Sequence, residues 1–169
     1  MFLNVEIKAR CEDPTHVRTY LIEHNARYVG KDFQRDTYFI TPKGRLKLRE
    51  GLIENALIYY ERKNQEGPKE SSVILYHPSD IIKLKSILEN TMDVRVQVFK
   101  NREIYFLANV KFHIDIVENL GNFIEIEAID DSGTNDKKKL QEQCEFYLDK
   151  FAIRKKDLIS ESYSDMLLT

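Results

Sequence analysis

Charged side chains recur two residues apart along several stretches of this sequence, and both signs take part. Arg45, Lys47 and Arg49 fall on one side of an alternating segment whose other side carries Leu46 and Leu48. Lys8 and Arg10 share a side with Glu6, and Lys100 shares one with Arg102. Lys111, His113 and Asp115 oppose Phe112, Ile114 and Ile116, while Glu125 and Glu127 oppose Ile124, Ile126 and Ala128. Clustered lysines and arginines grip phosphate oxygens through charge-assisted, often bidentate bonds. Carboxylates beside a bound phosphate would repel it unless a hard divalent cation bridged the two. If these faces converge, with Arg62 among them, the chemistry they imply is a metal ion together with a polyphosphate.

Alternation does not say which face is inside. An amphipathic sheet with a wet charged face and a barrel with a charged lumen under an apolar, helix-covered exterior produce the same string. The composition of the faces weighs against the solvated sheet and leaves the two readings about even, because these faces concentrate Arg, Lys, Glu and Asp and contain few of the neutral polar residues of a solvated sheet.

The elements that must carry these residues are mostly strands. Period-two alternation places them near residues 2–10, 28–40, 45–50, 55–63, 70–77, 94–107, 110–118 and 122–130, with turns at Pro42-Lys43-Gly44, Gln65-Glu66-Gly67-Pro68 and Leu120-Gly121-Asn122. Spacing of three and four predicts helices over about 14–26, 79–91 with Ser79 as N-cap, 135–151, and a tail helix near 157–168. The fold class is therefore α+β: an antiparallel eight-stranded β-barrel forming a tunnel, with helices packed outside. The 169 residues read as one domain, without an internal repeat or an interdomain linker; Asp130 to Asp136 is a polar loop.

Composition narrows the partners. The 26 Lys and Arg residues against 28 Asp and Glu leave a net charge of -2, which argues against a nucleic-acid or anionic-membrane binder that relies on bulk positive charge. No segment approaches the ~20 apolar residues of a membrane span, and the N-terminal stretch has no uninterrupted apolar core, so a cytoplasmic protein is expected. Cys11 and Cys144 have neither zinc-knuckle nor C-x-x-C spacing and read as reduced thiols. There is no Ser–His–Asp arrangement, P-loop or G-x-G-x-x-G.

Taken in order, these segments resemble the CYTH superfamily, which contains class IV adenylate cyclases, thiamine triphosphatases and inorganic tripolyphosphatases. The family's E-x-E-x-K signature is similar to Asn4-Val5-Glu6-Ile7-Lys8, and Gly44 to Arg49, Ile58 to Arg62, Lys100-Asn101-Arg102, His113-Ile114-Asp115, Gly121 to Glu127 and Ser162 to Met166 look like successive family motifs. The resemblance covers nearly the whole chain. It implies that Glu6, Asp115, Glu125 and Glu127 serve Mg²⁺ or Mn²⁺. Lys8, Lys47, Arg49, Arg62, Lys100 and Arg102 would hold phosphates, with Lys8 and Arg62 as the catalytic residues, and Arg10 and Arg45 extend the same faces toward the mouth. Tyr163 either closes one end or packs, and His113 reads as a structural hydrogen-bonding histidine.

The sequence leaves the family's pattern at two positions. Asn4 replaces the first glutamate, removing a charge from one metal position, and Lys63 stands where relatives commonly carry proline. The expected function is divalent-metal-dependent hydrolysis of an inorganic or organic triphosphate: tripolyphosphate, thiamine triphosphate or ATP. Cyclisation of ATP to cyclic AMP and pyrophosphate is the runner-up, and a non-catalytic polyphosphate- or nucleotide-binding module the third reading. A homodimer stays open.

Overall fold

A computed structural model describes residues 2–62, 64–130, 133–134 and 136–169. Lys63, and residues 131, 132 and 135 of the expected loop and third-helix start, lie outside them. The described residues form the elements β1 (Phe2–Arg10), α1 (Thr15–Glu23), β2 (Arg27–Phe39), β3 (Arg45–Glu50), β4 (Ala56–Arg62), β5 (Lys69–Tyr76), α2 (Ile81–Thr91), β6 (Val94–Leu107), β7 (Val110–Val117), β8 (Gly121–Ile129), α3 (Lys137–Lys150), a 3-10 turn (Lys155–Asp157) and α4 (Tyr163–Met166). The strands close a barrel in the order β1-β5-β4-β3-β2-β6-β7-β8. Every neighbouring pair is antiparallel, and β1 seals the cylinder by pairing with both β5 and β8.

Period-two geometry sorts each strand into an inward and an outward set. Along β1, Asn4, Glu6 and Lys8 face the cavity described below. Val5 and Ile7 face out and pack with Phe112, Ile114, Ile124 and Ile126 from β7 and β8. Val17 and Leu21 of α1 and Leu140 and Cys144 of α3 cover that layer, which explains why a barrel with charged contents has an apolar exterior on this side. On another side Leu48 of β3 and Phe39 of β2 meet Leu88 of α2.

A third apolar layer lies inside one end of the barrel, where Val98, Val117, Phe123, Tyr38 and Tyr60 pack against Tyr163 of α4. The chain after α3 is tied to this end. Ile159 N–H donates to Lys8 O at 2.9 Å, Ala9 bridges Leu158, and Lys69 Nζ donates to the carbonyls of Ile159 at 2.7 Å and Ser160 at 3.0 Å. Ser162 and Asp165 form a reciprocal capping box that starts α4, and Arg45 binds Asp165 at 2.6 Å.

Two helix expectations need correction. The N-cap of α2 is Asp80, whose carboxylate accepts from Lys83 N at 2.9 Å, so the helix begins one residue later than Ser79 implies. The tail is a 3-10 turn followed by the four-residue α4 rather than a continuous helix over 157–168. Its apolar residues serve an extended segment laid across the barrel end, and extended chain and helix are hard to separate over so short a run. None of the described helices is long and apolar enough to cross a membrane.

Candidate active site

A cavity of about 370 Å³ occupies the barrel interior between the apolar plug and the opposite mouth. Among the described residues, seven Lys and Arg side chains line it against four glutamates: Lys8, Lys47, Arg49, Arg62, Lys100, Arg102 and Lys111, with Glu6, Glu54, Glu125 and Glu127. They come from six of the eight strands, β1, β3, β4, β6, β7 and β8, and from the 51–55 loop. The β4–β5 wall differs, presenting Ala56, Ile58, Val73 and Leu75. Ile53 and Leu75 are partly exposed, which marks the loop side as the open mouth.

Beneath the cavity floor lies Asp36 of β2, fully buried. It accepts a fork from Arg49 Nε and Nη2 at 2.8 and 2.9 Å, Lys47 at 2.9 Å and Lys100 at 2.6 Å. Burial pushes its carboxyl upward, but Arg49, Lys100 and Lys47 outweigh that and hold it well below the usual carboxylate range. One carboxylate thus organises three cations of the cavity. Asp32, two turns of the pleat away, accepts the backbone N–H groups of Leu52, Ile53 and Glu54 and so shapes the loop that brings Glu54 to the mouth. Gly51 is required there, since a Cβ would come within 2.6 Å of Asp32 Oδ2 and 2.7 Å of the Glu54 carbonyl. Glu54 then pairs with Arg49 at 3.0 Å and with Lys111.

On the opposite wall Arg102 forks onto Asp115 at 2.7 and 2.5 Å and reaches Glu125 at 2.8 Å. Tyr163 O–H donates to Asp115 at 2.8 Å, and Lys8 lies over the Tyr163 ring at 3.8 Å while pairing with Glu125 at 3.1 Å. Burial raises the Glu125 carboxyl, yet Arg102 and Lys8 hold it well below its usual range. His113 Nδ1 lies 3.1 Å from Glu125 Oε2, and burial together with Arg102 lowers its pKa, so the ring is neutral near pH 7. The ring also lines the cavity, with Nε2 buried and without a partner among the described residues.

Burial also lowers the pKa of Lys8, of Arg62 and, strongly, of Lys100, whose cationic neighbours Arg49 and Arg102 add to the effect. Arg62 pairs with Glu6, but its Nε is buried with no partner among the described residues. Crowded, desolvated cations with a spare donor are an environment that an anion relieves.

Nine of the twelve predicted site residues line this cavity; the exceptions are Asp115, Arg10 and Arg45. Asp115 is completely buried behind Arg102, does not line the cavity, and has both oxygens engaged. Arg10 is exposed beyond the plug, stacked over Phe123 and donating to Leu120 O at 3.0 Å. Arg45 sits at the plugged end on Asp165 and Asn64, outside the main cavity. Asp36, Glu54 and Lys111 were not assigned from sequence. The alternation Asp32-x-Gln34-x-Asp36 was the available signal for the first.

The sequence model of the CYTH domain family matches residues 3–163. The chain belongs to the CYTH family. A Methanocaldococcus jannaschii protein, provisionally named an adenylate cyclase, is 29% identical over 97% of this chain and 98% of its own. Among solved structures, a Pyrococcus horikoshii protein superimposes with a TM-score of 0.79 at 21% identity, covering 96% of this chain and 98% of that one. A Hippeastrum protein, provisionally an adenylyl cyclase and described as having a dominant triphosphatase activity, superimposes with a TM-score of 0.63 at 13% identity over 99% of this chain and 94% of its own. At these identities the structural likenesses establish the fold. CYTH membership and a closed antiparallel eight-stranded barrel with helices outside were both expected from the sequence.

The donors suit a hard divalent cation. Glu6 and Glu127 are cross-strand partners on β1 and β8, Asn4 Nδ2 donates to Glu127, and Asn4 Oδ1 is buried with no partner among the described residues. Two carboxylates placed side by side repel unless a cation or donor lies between them. All the candidate ligands are oxygens, as Mg²⁺ and Mn²⁺ prefer. No group of three or more His, Cys, Asp or Glu among the described residues forms a ready cage.

Proposed function

We propose that this chain is a divalent-metal-dependent triphosphatase that binds its substrate in the barrel interior. The observation that carries this reading is the excess of buried cations over glutamates in one cavity. Lys47, Arg49 and Lys100, held by Asp36, and Arg102, held by Asp115, present fixed donors to phosphate oxygens without reorganising during reaction. Lys8 and Arg62 neutralise charge that develops on the leaving phosphate. Glu6, Glu127 and the Asn4 amide oxygen would hold Mg²⁺ or Mn²⁺, with Glu125 beside them. When bound, that ion polarises a phosphoryl oxygen and offsets the substrate's charge. CYTH membership and the triphosphatase described among the structural neighbours support this assignment.

A second reading, cyclisation of ATP, is favoured by one feature: the apolar β4–β5 wall of Ile58, Val73 and Leu75 beside Ile53, on which a base could rest. Cyclisation also needs the ribose 3′ oxygen aimed at the α-phosphorus, whereas hydrolysis needs only water there. Incubating the purified protein with Mg²⁺ or Mn²⁺ and, separately, tripolyphosphate, thiamine triphosphate and ATP tests both. Orthophosphate is the expected product, cyclic AMP with pyrophosphate would replace this reading by the second, and metal-independent binding with no turnover would leave a binding module.

A further inference from the structure

The helices leave one side of the barrel bare, and the strand register there has a symmetry of its own. Across the outer face of β2, β6 and β7, one row holds Arg35, Phe99 and Glu118, since Arg35 is opposite Phe99 and Glu118 N–H donates to Phe99 O at 2.9 Å. The next row holds Phe33, Asn101 and Ile116. Phe33 is 62% exposed, Ile116 53% and Phe99 43%, an unusual concentration of large apolar side chains on a sheet surface. Between them, Asn101 Oδ1 is buried with no hydrogen-bond partner among the described residues.

We propose that this face is a two-fold interface between two copies of the chain, with the axis running along β6. A half-turn about β6 exchanges the two sides of each row and leaves the order of the rows unchanged. It sets Phe33 against the partner's Ile116, Phe99 against its own copy, and Arg35 against the partner's Glu118, twice over by symmetry. Arg35 binds Glu50 through Nε and Nη2, which leaves Nη1 to reach outward, and Glu118 makes no ion pair among the described residues. The same half-turn sets the two Asn101 side chains against each other on the axis. An apolar centre with complementary charges at the flanks is what an isologous contact requires, whereas an unrelated partner would have no reason to match this row symmetry.

Sedimentation across the micromolar concentration range tests this, with circular dichroism confirming that each variant is folded. The wild-type chain is expected to dimerise, and Phe99→Asp to weaken the dimer about tenfold or more, the scale of a central aromatic anchor. Glu118→Arg and Arg35→Glu should each shift the equilibrium toward monomer. Mixing these two folded variants should restore a heterodimer, because opposite charges then meet at both contacts. In a Cys11→Ser background, Asn101→Cys should form a disulfide-linked dimer under mild oxidation, while Ile74→Cys on the distant β5 should not. A wild-type monomer at every concentration, or a dimer unaffected by Phe99→Asp and Glu118→Arg, would overturn the proposal.

Discussion

Lys100 Nζ lies 2.6 Å from Asp36 Oδ2, with both side chains almost wholly out of solvent. The contact joins β6 to β2 inside the barrel and, through the same carboxylate, to Lys47 and Arg49. Asp36→Asn leaves Lys47 and Lys100 without their anion and Arg49 with Glu54 alone. A loss of about 3–5 kcal/mol is expected, the usual cost of stranding a buried charge. Tripolyphosphate should restore much of the lost thermal stability by supplying the missing negative charge. Thermal melts with and without tripolyphosphate measure this, and equal ligand-induced shifts in wild type and variant would separate Asp36 from anion binding.

Asp115 tests whether a carboxylate belongs to the metal or to an arginine. Its partners are Arg102 and Tyr163, so Asp115→Asn should lower stability and raise KM by loosening Arg102, while the metal concentration giving half-maximal turnover stays the same. A shifted metal midpoint would return Asp115 to the metal-binding set.

Asn4 leaves one charge fewer beside Glu127 than a carboxylate would. Asn4→Asp removes the amide donor and places two like charges together, so the metal-free variant should melt below wild type. With Mg²⁺ or Mn²⁺ the order should reverse, and the metal midpoint should fall about tenfold, the scale on which ligand charge tunes hard-cation sites. Calorimetric titration of the metal against both proteins decides the matter; identical affinities would put position 4 out of the ion's reach.

Lys69 supplies a pH signature. Burial and the nearby Arg62 and Lys8 charges bring its amine down from 10.5 to about 7. Between those values the unfolded chain binds the extra proton and the folded chain does not, so this group makes stability rise with pH across that window. Below about pH 7 both states are protonated and its slope vanishes. Lys69→Met should remove this rising component from chemical-denaturation stabilities measured across the window. A variant with the wild-type slope would show that the Ile159 and Ser160 carbonyls keep the amine charged.

The strand pattern was readable because alternation survives on both faces: apolar residues outside under α1, α2 and α3, charges inside. Lys8, Lys47, Arg49, Lys100, Arg102, Glu125 and Glu127 announced themselves by type and spacing. Asp36 did not, because its neighbours Phe33 and Arg35 place an exposed aromatic and an arginine on the outer face, blurring the contrast between the sides of β2. Nor could spacing separate Asp115 from Glu125, since both occupy inward positions and only depth distinguishes them. The tail was misread as helix because its apolar residues answer to the plug and not to a helical face.

Because β1 pairs with β8 as well as β5, the barrel closes through contacts between residues 2–10 and 121–129. Such long loop closures are entropically demanding and slow a folding search. During synthesis β1 must wait for β8 to emerge from the ribosome, and until then Asn4, Glu6 and Lys8 are separated from Glu125 and Glu127. Ligand affinity therefore arises late and all at once, so recovery of binding during refolding should lag behind the early gain of secondary structure and keep time with the zipping of the first strand onto the eighth.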